Sequence, residues 1–574
     1  MSTKRSLTDT GQPPIMRSLS GLLIVLGVTM LSGTIVSVAL PQIVGSLNGT
    51  QAQYTWVVTA TLLASTASTP VWGKLADLFD KKKLLQLSIV LFVVSSLLAG
   101  FAQTTGQLIA FRAVQGLGMG ASQVLVQVII ASLVSPKERG RLNGYIGGIM
   151  AVATVGGPLI GGAITDISWL GWRWCFFIGV PFMVIASLVL GRTLKLADVR
   201  RADAKVDYAG ALLIASGVST LLLWVTFVGN DFAWISWQSG AMVAGSAVLL
   251  GLAVWVESRV SQPVIPLHLV VRRETAIAIL ASIAVGMAMF GGAVFLGQYF
   301  QLARGYSPTE AGLLTTPLML GVLVSSTVSG RMVSNSGRVK PYVVTGLVSL
   351  TLGFLLLSTI DETTSLLIVS AGMLLVGTGV GMSMQNLVLV VQNSVPLSEL
   401  GAASGAITFF RSLGGTMGVS VLGAILANRV GTNISEGLAG AGVDASAAAG
   451  SGTLNLAAMP PFLREIVESA YGSSTGDIFL VATGIAAVGL VVGLFLPKVR
   501  LRDTLDLPGA EEVPSDGATG TGGGTPSVGG DAANAPASAD GRVPAAGDGP
   551  GTPVVARGQA ARVVRAAKRE DGTG

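Results

Sequence analysis

Cysteine and histidine are nearly missing: Cys175 and His268 are the single examples in 574 residues. One cysteine excludes an internal disulfide framework, and one histidine beside it leaves no basis for a His/Cys metal site. Charge is also scarce. Asp, Glu, Lys and Arg make up 11% of the chain, whereas soluble domains carry about a quarter. Together with 51% hydrophobic residues and a mean hydropathy of +0.69, that shortage excludes an ordinary cytosolic enzyme and a secreted domain. A membrane-embedded enzyme would want acids, histidines or a metal site clustered on one cavity. His268, in a loop beside Pro266, reads instead as an interfacial loop residue.

What is present is a series of apolar runs near the ~20 residues that span a bilayer as a helix. Fourteen candidate spans begin near Ser20, Tyr54, Leu84, Leu108, Leu142, Arg173, Asp207, Gln238, Thr275, Thr309, Pro341, Ser365, Ala402 and Asp477. The first, apolar from Gly21 to Leu40, is too long for a signal-peptide core and is followed by thirteen more. The net charge of +6 does not point to nucleic acid, because the basic residues fall in alternate loops. With the N-terminus inside, Lys81, Lys82, Lys83, Lys137, Arg139, Arg141, Arg200, Arg201, Arg272, Arg273, Arg338 and Lys340 are among those on the inner side. The outer loops hold only Arg304, Arg429 and Arg464. The positive-inside rule then puts both termini in the cytoplasm.

The domain boundaries that follow are a cytoplasmic segment 1–19, a six-helix half 20–192, two linking helices 193–274, a second six-helix half 275–497 and a cytoplasmic tail 498–574. From about Leu507 the tail has no aromatic residue and too little apolar surface to offset chain entropy, so it reads as disordered. Residues 428–476 read as an outer loop. Within it Pro461 to Tyr471 has helical apolar spacing, which suits either a helix on the membrane surface or a short helix in a mobile loop.

The halves echo one another. Gly73, Lys81 and Lys83 recur as Gly330, Arg338 and Lys340; Glu138-x-Gly140-x-x-x-Gly144 recurs as Glu399-x-Gly401-x-x-x-Gly405; Gly116, Gly118 and Gly120 recur as Gly377, Gly379 and Gly381. Internal repeats of this kind build transporters with the substrate site between the halves, near the bilayer midplane.

Four stretches carry more specific patterns. Thr34-Ile-Val-Ser-Val-Ala-Leu-Pro41 lies in span one, and Gly73-Lys-Leu-Ala-Asp77-Leu-Phe-Asp80-Lys81-Lys82 follows span two. Leu108-Ile-Ala-Phe-Arg112-Ala-Val-Gln115-Gly116 lies in span four. Gly148 through Gly156-Gly157-Pro158-Leu-Ile-Gly161-Gly162 lies in span five. With these motifs the chain resembles the major facilitator superfamily, and within it the fourteen-helix drug:proton antiporters, over roughly residues 20–500. The resemblance implies an all-α polytopic membrane protein with two six-helix halves and two extra central helices. It also implies efflux of amphiphilic drugs or antibiotics across a bacterial inner membrane, with no cofactor and a proton gradient as the energy source.

Each motif has a physical role to play. Asp77 with Lys81 and Lys82 can pair across inner helix ends and hold one access state closed, and Asp77 can also meet a helix N-terminus; the alternative is a basic loop that only fixes topology. Gly157, Pro158, Gly161 and Gly162 allow close helix approach, as the sealing helix of an antiporter or as ordinary packing. Arg112, about one turn inside the outer end of span four, either snorkels outward or, as the resemblance implies, takes part in proton coupling. Arg411 lies roughly 14 Å into span thirteen, where a lone Arg carries a penalty of about 2.5–3.5 kcal/mol. It is expected to face protein or water. Gln115, Gln123 and Gln127 share a face of span four, either lining a cavity or bonding neighbouring helices.

One departure matters. Members of this branch commonly carry an Asp two residues before the span-one Thr, and here that position is Ser32. A serine does not titrate near neutral pH. Asp166, Asp231, Glu310 and Asp361 fall at outer ends, and Asp207, Glu257, Glu274 and Glu399 at inner ends. Coupling therefore uses an end-of-helix carboxylate, or is weak, or is absent. Arginine without a buried acid disfavours cationic drugs, so neutral or anionic amphiphiles are the expected substrates. A lipid or dedicated-metabolite transporter remains the alternative. The expected partners are the bilayer and the substrate alone, with no nucleic acid, and a monomer is expected because one chain forms both halves.

Overall fold

The computed structural model describes residues 15–47, 51–167, 170–196, 207–229, 232–260, 262–440 and 461–502. The N-terminal segment before residue 15 and the tail beyond 502 lie outside these, as do the side chains of Pro158, Asp166 and Asp231.

The first half comprises α1 (Ile15–Ser46), α2 (Gln51–Leu78), α3 (Lys81–Gly100), α4 (Thr105–Leu133), α5 (Pro136–Asp166), the short α6 (Trp174–Phe177) and α7 (Gly179–Thr193). A central pair follows, α8 (Tyr208–Phe227) and α9 (Trp237–Glu257), then a short α10 (Leu267–Val271). The second half comprises α11 (Arg273–Gln298), continued by a π turn at Tyr299–Ala303, then α12 (Pro308–Leu314), α13 (Thr316–Ser336) and α14 (Lys340–Leu357). It ends with α15 (Leu366–Asn393), a 3-10 turn at Leu397–Glu399, α16 (Leu400–Gly440) and α17 (Pro461–Leu494).

Side chains punctuate the helices where backbone donors would otherwise go unpaired. Asp80 caps α3, Thr104 caps α4 and Ser236 caps α9. Ser307 and Glu310 form a reciprocal capping box on α12. Gly337, at φ 66°, takes the left-handed turn that ends α13.

Among the described residues, twelve helical segments are long and apolar enough to cross a membrane. The remaining long helices, α2 with 28 residues and α5 with 31, have the length but are more polar. The end of the bundle carrying the α2–α3, α4–α5 and α13–α14 connections, with Lys83, Lys137 and Arg338, is called the basic end below.

The two halves are packed alike. In the first, α1 lies on α5 and α7, and α4 on α2 and α3; in the second, α11 lies on α16 and α17, and α15 on α13 and α14. The glycine triplets make those contacts possible. Gly116 and Gly120 meet α2 while Gly118 meets α3; Gly377 and Gly381 meet α13 while Gly379 meets α14.

Helices α2 and α16 meet along one seam between the halves, and α5 and α13 along the other. The central pair covers the first. Ile214, Val218 and Leu222 of α8 and Ala253 of α9 share an apolar cluster with Ala67 of α2 and Phe409 of α16. Nothing in that cluster reaches the α5–α13 seam.

The segment 428–476, expected to be a loop, is largely helical. Helix α16 continues to Gly440 and α17 begins at Pro461, leaving 441–460 outside the described residues. Part of the apolar face near Pro461 turns to α16, where Ile466 packs against Gly437, while Phe462 stays exposed; Asn433 donates to Ser474, and Arg429 pairs with Asp477 at 3.6 Å.

Candidate functional site

Two glycine contacts close the basic end. A side chain on Gly73 would strike the Gly401 carbonyl and the Gly405 backbone; one on Gly330 would strike the Gly140 carbonyl. These are the repeated positions of the sequence. Each half therefore offers the glycine near the end of its second long helix to the glycine that opens the fifth helix of the other half.

Asp77 bolts one of these contacts. Its Oδ1 accepts from Gly401 N at 2.7 Å and its Oδ2 from Ala402 N at 2.8 Å. Both are first-turn N–H groups of α16, orphan donors at the positive end of a helix dipole. Asp77 is only 6% exposed, so this charged pairing is shielded from water. Hydrogen bonds to a charged group contribute about 1.5–3 kcal/mol each. The repeat puts Ser334 at the equivalent place beside Gly140, so the second seam has no such bolt.

Of the lysines expected to pair with Asp77, Lys81 interacts with it electrostatically, while Lys82 Nζ bonds elsewhere. The directional bonds of Asp77 go to backbone, although Lys81 and Lys74 lie within electrostatic range. Asp80 accepts from the Lys82 and Lys83 amides, and Lys82 Nζ donates to Gly191 O at 2.7 Å. Asp80 and Lys82 thus fix the start of α3 and tie it to α7. The reason is geometric: one turn separates Asp77 from the start of α3, and α16 presents its amides first.

In the sequence Arg139 carries only a topology signal, as one of the inner basic residues. Buried at 4% exposure, it donates to Val134 O at 2.8 Å, to Ala131 O, and across the halves to Gln392 Oε1 at 3.4 Å. Gln392 Nε2 in turn donates to Ser404 Oγ at 3.0 Å. The neighbouring Gly140 echo was the available signal. Asp207 and Glu257 are among the inner helix-end acids of the sequence. Both are buried against Gly210, where Asp207 caps α8 and Glu257 accepts from the Val264 and Ile265 amides. Lys74 lies within electrostatic range of Glu257 as well as Asp77, so the central pair reaches the bolt.

Deeper in, Arg112 does not snorkel. It is 3% exposed and donates to Gln115 Oε1 at 2.7 Å, and Gln115 Nε2 donates to Ser96 Oγ of α3 at 2.7 Å. Gln115 is thus committed to helix bonding. Gln123 is half-buried, and Gln127 is buried with its Oε1 lacking a hydrogen-bond partner. Arg411 is 2% exposed, and neither Nη1 nor Nη2 has a hydrogen-bond partner. One turn earlier on α16, Thr408 Oγ1 is likewise buried and unpartnered. Burying a guanidinium without a partner is strongly unfavourable, which sets Arg411 and Thr408 apart from the hydrogen-bonded Arg112 and Arg139.

The span-one and span-five motifs interlock. Thr34 Oγ1 donates to Ala153 O at 2.9 Å, Gly157 gives Thr34 its room, and Gly161 packs on the Ile35 backbone. A side chain on Gly162 would meet open space, and α5 runs unbroken through Pro158. Ser32 is buried on α1 at 5% exposure. Of the candidate acids, Asp361 accepts from Thr363 and Thr364, which holds its carboxyl below the ordinary range and ionised near neutrality. Glu310 is engaged by Ser307, and Glu399 lies 3.4 Å from His268. Among the described residues no group of His, Cys, Asp and Glu is placed to hold a metal ion.

The sequence matches the description "Major Facilitator Superfamily" over residues 22–419. It is 36% identical over 495 residues to an uncharacterized MFS-type transporter of Mycobacterium tuberculosis, covering 86% of this chain and 71% of the relative. It is 36% identical over 420 residues to the multidrug transporter protein MdtP of Bacillus subtilis, covering 73% of this chain and 77% of that one. In fold it is similar to the human organic anion transporter MFSD10, with a TM-score of 0.55 at 16% identity over 83% of this chain and 100% of the other.

Proposed function

The chain belongs to the Major Facilitator Superfamily, and on that premise we propose that this multi-pass membrane transporter exports neutral or anionic amphiphiles in exchange for protons. Fourteen spans, both termini in the cytoplasm and a bacterial inner membrane complete the reading, with the basic end inside. Relatives named as multidrug transporters and efflux pumps support the substrate class in its broad form.

One observation carries the preference for neutral or anionic cargo. Arg411 presents two unpartnered guanidinium nitrogens inside the bundle, and Ser32 stands where a buried acid would attract cations. An anionic or acceptor-rich group on a substrate satisfies Arg411, whereas a cation is repelled by it. In the proposed export cycle the basic end, bolted by Asp77, opens to load from inside and closes to release outside. The titrating group is an end-of-helix carboxylate other than Asp361.

Proteoliposomes with an imposed pH gradient test the reading. Gradient-driven movement of an anionic or neutral amphiphile, at least about tenfold faster than that of a quaternary ammonium dye, is the expected result. Selective movement of the cation contradicts it. Equilibration indifferent to the gradient favours a second reading, a facilitator for a lipid or metabolite, for which the serine at position 32 is the supporting observation.

A further inference from the structure

The two seams between the halves are not dressed alike. The α2–α16 seam is covered by α8 and α9. The α5–α13 seam instead carries a groove of about 820 Å³, walled by α1, α5, α7 and α13. That volume falls within the ~300–1,000 Å³ of ligand pockets.

The groove has two kinds of lining. Along its length Ile24, Val152, Phe182 and Leu323 make it apolar, and Ile24, Val152 and Phe182 are exposed at the bundle surface. At its basic end stand Arg141 and Arg331, both exposed, with Ser20 and Thr327 close by. Arg141 belongs to the first half and Arg331 to the second. They flank the Gly140–Gly330 contact, so a positive charge stands on each side of the seam whose counterpart of Asp77 is Ser334. From Arg141 to Ala153, twelve residue-to-residue steps of α5 along the groove cover about 18 Å. That is a little more than one leaflet of the ~30 Å hydrocarbon core.

We propose that this groove binds one anionic phospholipid from the leaflet on the basic side. An acyl chain lies along the apolar wall, and the phosphate bridges Arg141 and Arg331. A phosphate is the complement the pair requires, because its oxygens accept from guanidinium groups and its charge offsets their mutual repulsion. Bridging joins the halves at the seam Asp77 does not reach, so bound lipid favours the state closed at the basic end.

The test uses the full chain, purified with equal amounts of phosphatidylglycerol and phosphatidylcholine and analysed by native mass spectrometry. The expected result is preferential retention of one phosphatidylglycerol. Arg141→Gln with Arg331→Gln is expected to lower the retention ratio about tenfold, while Arg192→Gln with Arg338→Gln, exposed elsewhere at the basic end, leaves it unchanged. Val152→Trp fills the groove from its exposed side with both arginines intact, and is expected to release the lipid. Wild-type retention in the groove double variant, an equal fall in the control pair, or retention undiminished by Val152→Trp would each overturn the proposal. The readout is independent of transport, so it stands or falls apart from the proposed function.

Discussion

Asp77→Asn removes a charge and leaves one good acceptor for two backbone donors. The expected effect is a weakening of the basic-end closure by about 2 kcal/mol, roughly thirtyfold in the open–closed equilibrium. Spin labels at Lys83→Cys and Arg338→Cys, both exposed, in a Cys175→Ser background, read it as a longer mean distance. An unchanged distance would reduce Asp77 to a helix-end ornament. Arg411→Met is expected to separate stability from activity. An apolar side chain of similar length relieves an unpaired buried charge, so thermal stability rises, while transport of an anionic amphiphile falls at least tenfold and that of a neutral one changes little. At this scale the sequence was informative about which residues matter and poor about their partners. The Asp77 motif was visible, but its acceptor role toward Gly401 and Ala402 depends on α16, 324 positions away. The burial of Arg411 was readable from its depth in an apolar run; its lack of partners was not.

Helix α5 lies on α1 because Gly157 leaves space for Thr34. Gly157→Ala is expected to destabilise the protein by about 1–3 kcal/mol through overpacking. Combining it with Thr34→Gly is expected to recover part of that, giving a coupling energy in a double-mutant cycle. Strict additivity of the two changes would show that the helices do not interlock there. Gly140→Leu wedges α5 from α13 at the basic end, and transport is expected to fall below detection while the folded protein is retained. The repeated glycines were legible as a repeat but not as a crosswise pairing, because spacing within one half says nothing about which surface of the other half it meets. The 428–476 stretch misled for a related reason. Glycine, serine, threonine and charged residues lower the hydropathy of 428–440 and 461–476 without preventing a helix, and contact with a neighbouring helix makes up the difference, as at Gly437 and Ile466.

Viewed whole, the chain is two similarly packed halves with a helix pair over one seam. Its all-helical character and its repeat were open to reading because apolar run length and glycine spacing are local properties. The span count was harder. Helices α2 and α5 have the length of a span, but their Gly, Ser, Thr and charged residues leave them less apolar than the other long helices. The unequal dressing of the seams was not legible, since α8 and α9 give no sequence sign of which side they cover.

Alternation is the central claim, and paired distance measurements in one preparation test it most directly. One label pair sits at the basic end, at Lys83→Cys and Arg338→Cys; the other sits at the opposite end, at Gln103→Cys and Leu367→Cys. With a transported amphiphile and a change of pH, the basic-end distance is expected to lengthen as the opposite-end distance shortens, and Asp77→Asn to show the lengthened basic-end distance without substrate. Two distances that stay fixed, or that lengthen together, would contradict alternating access.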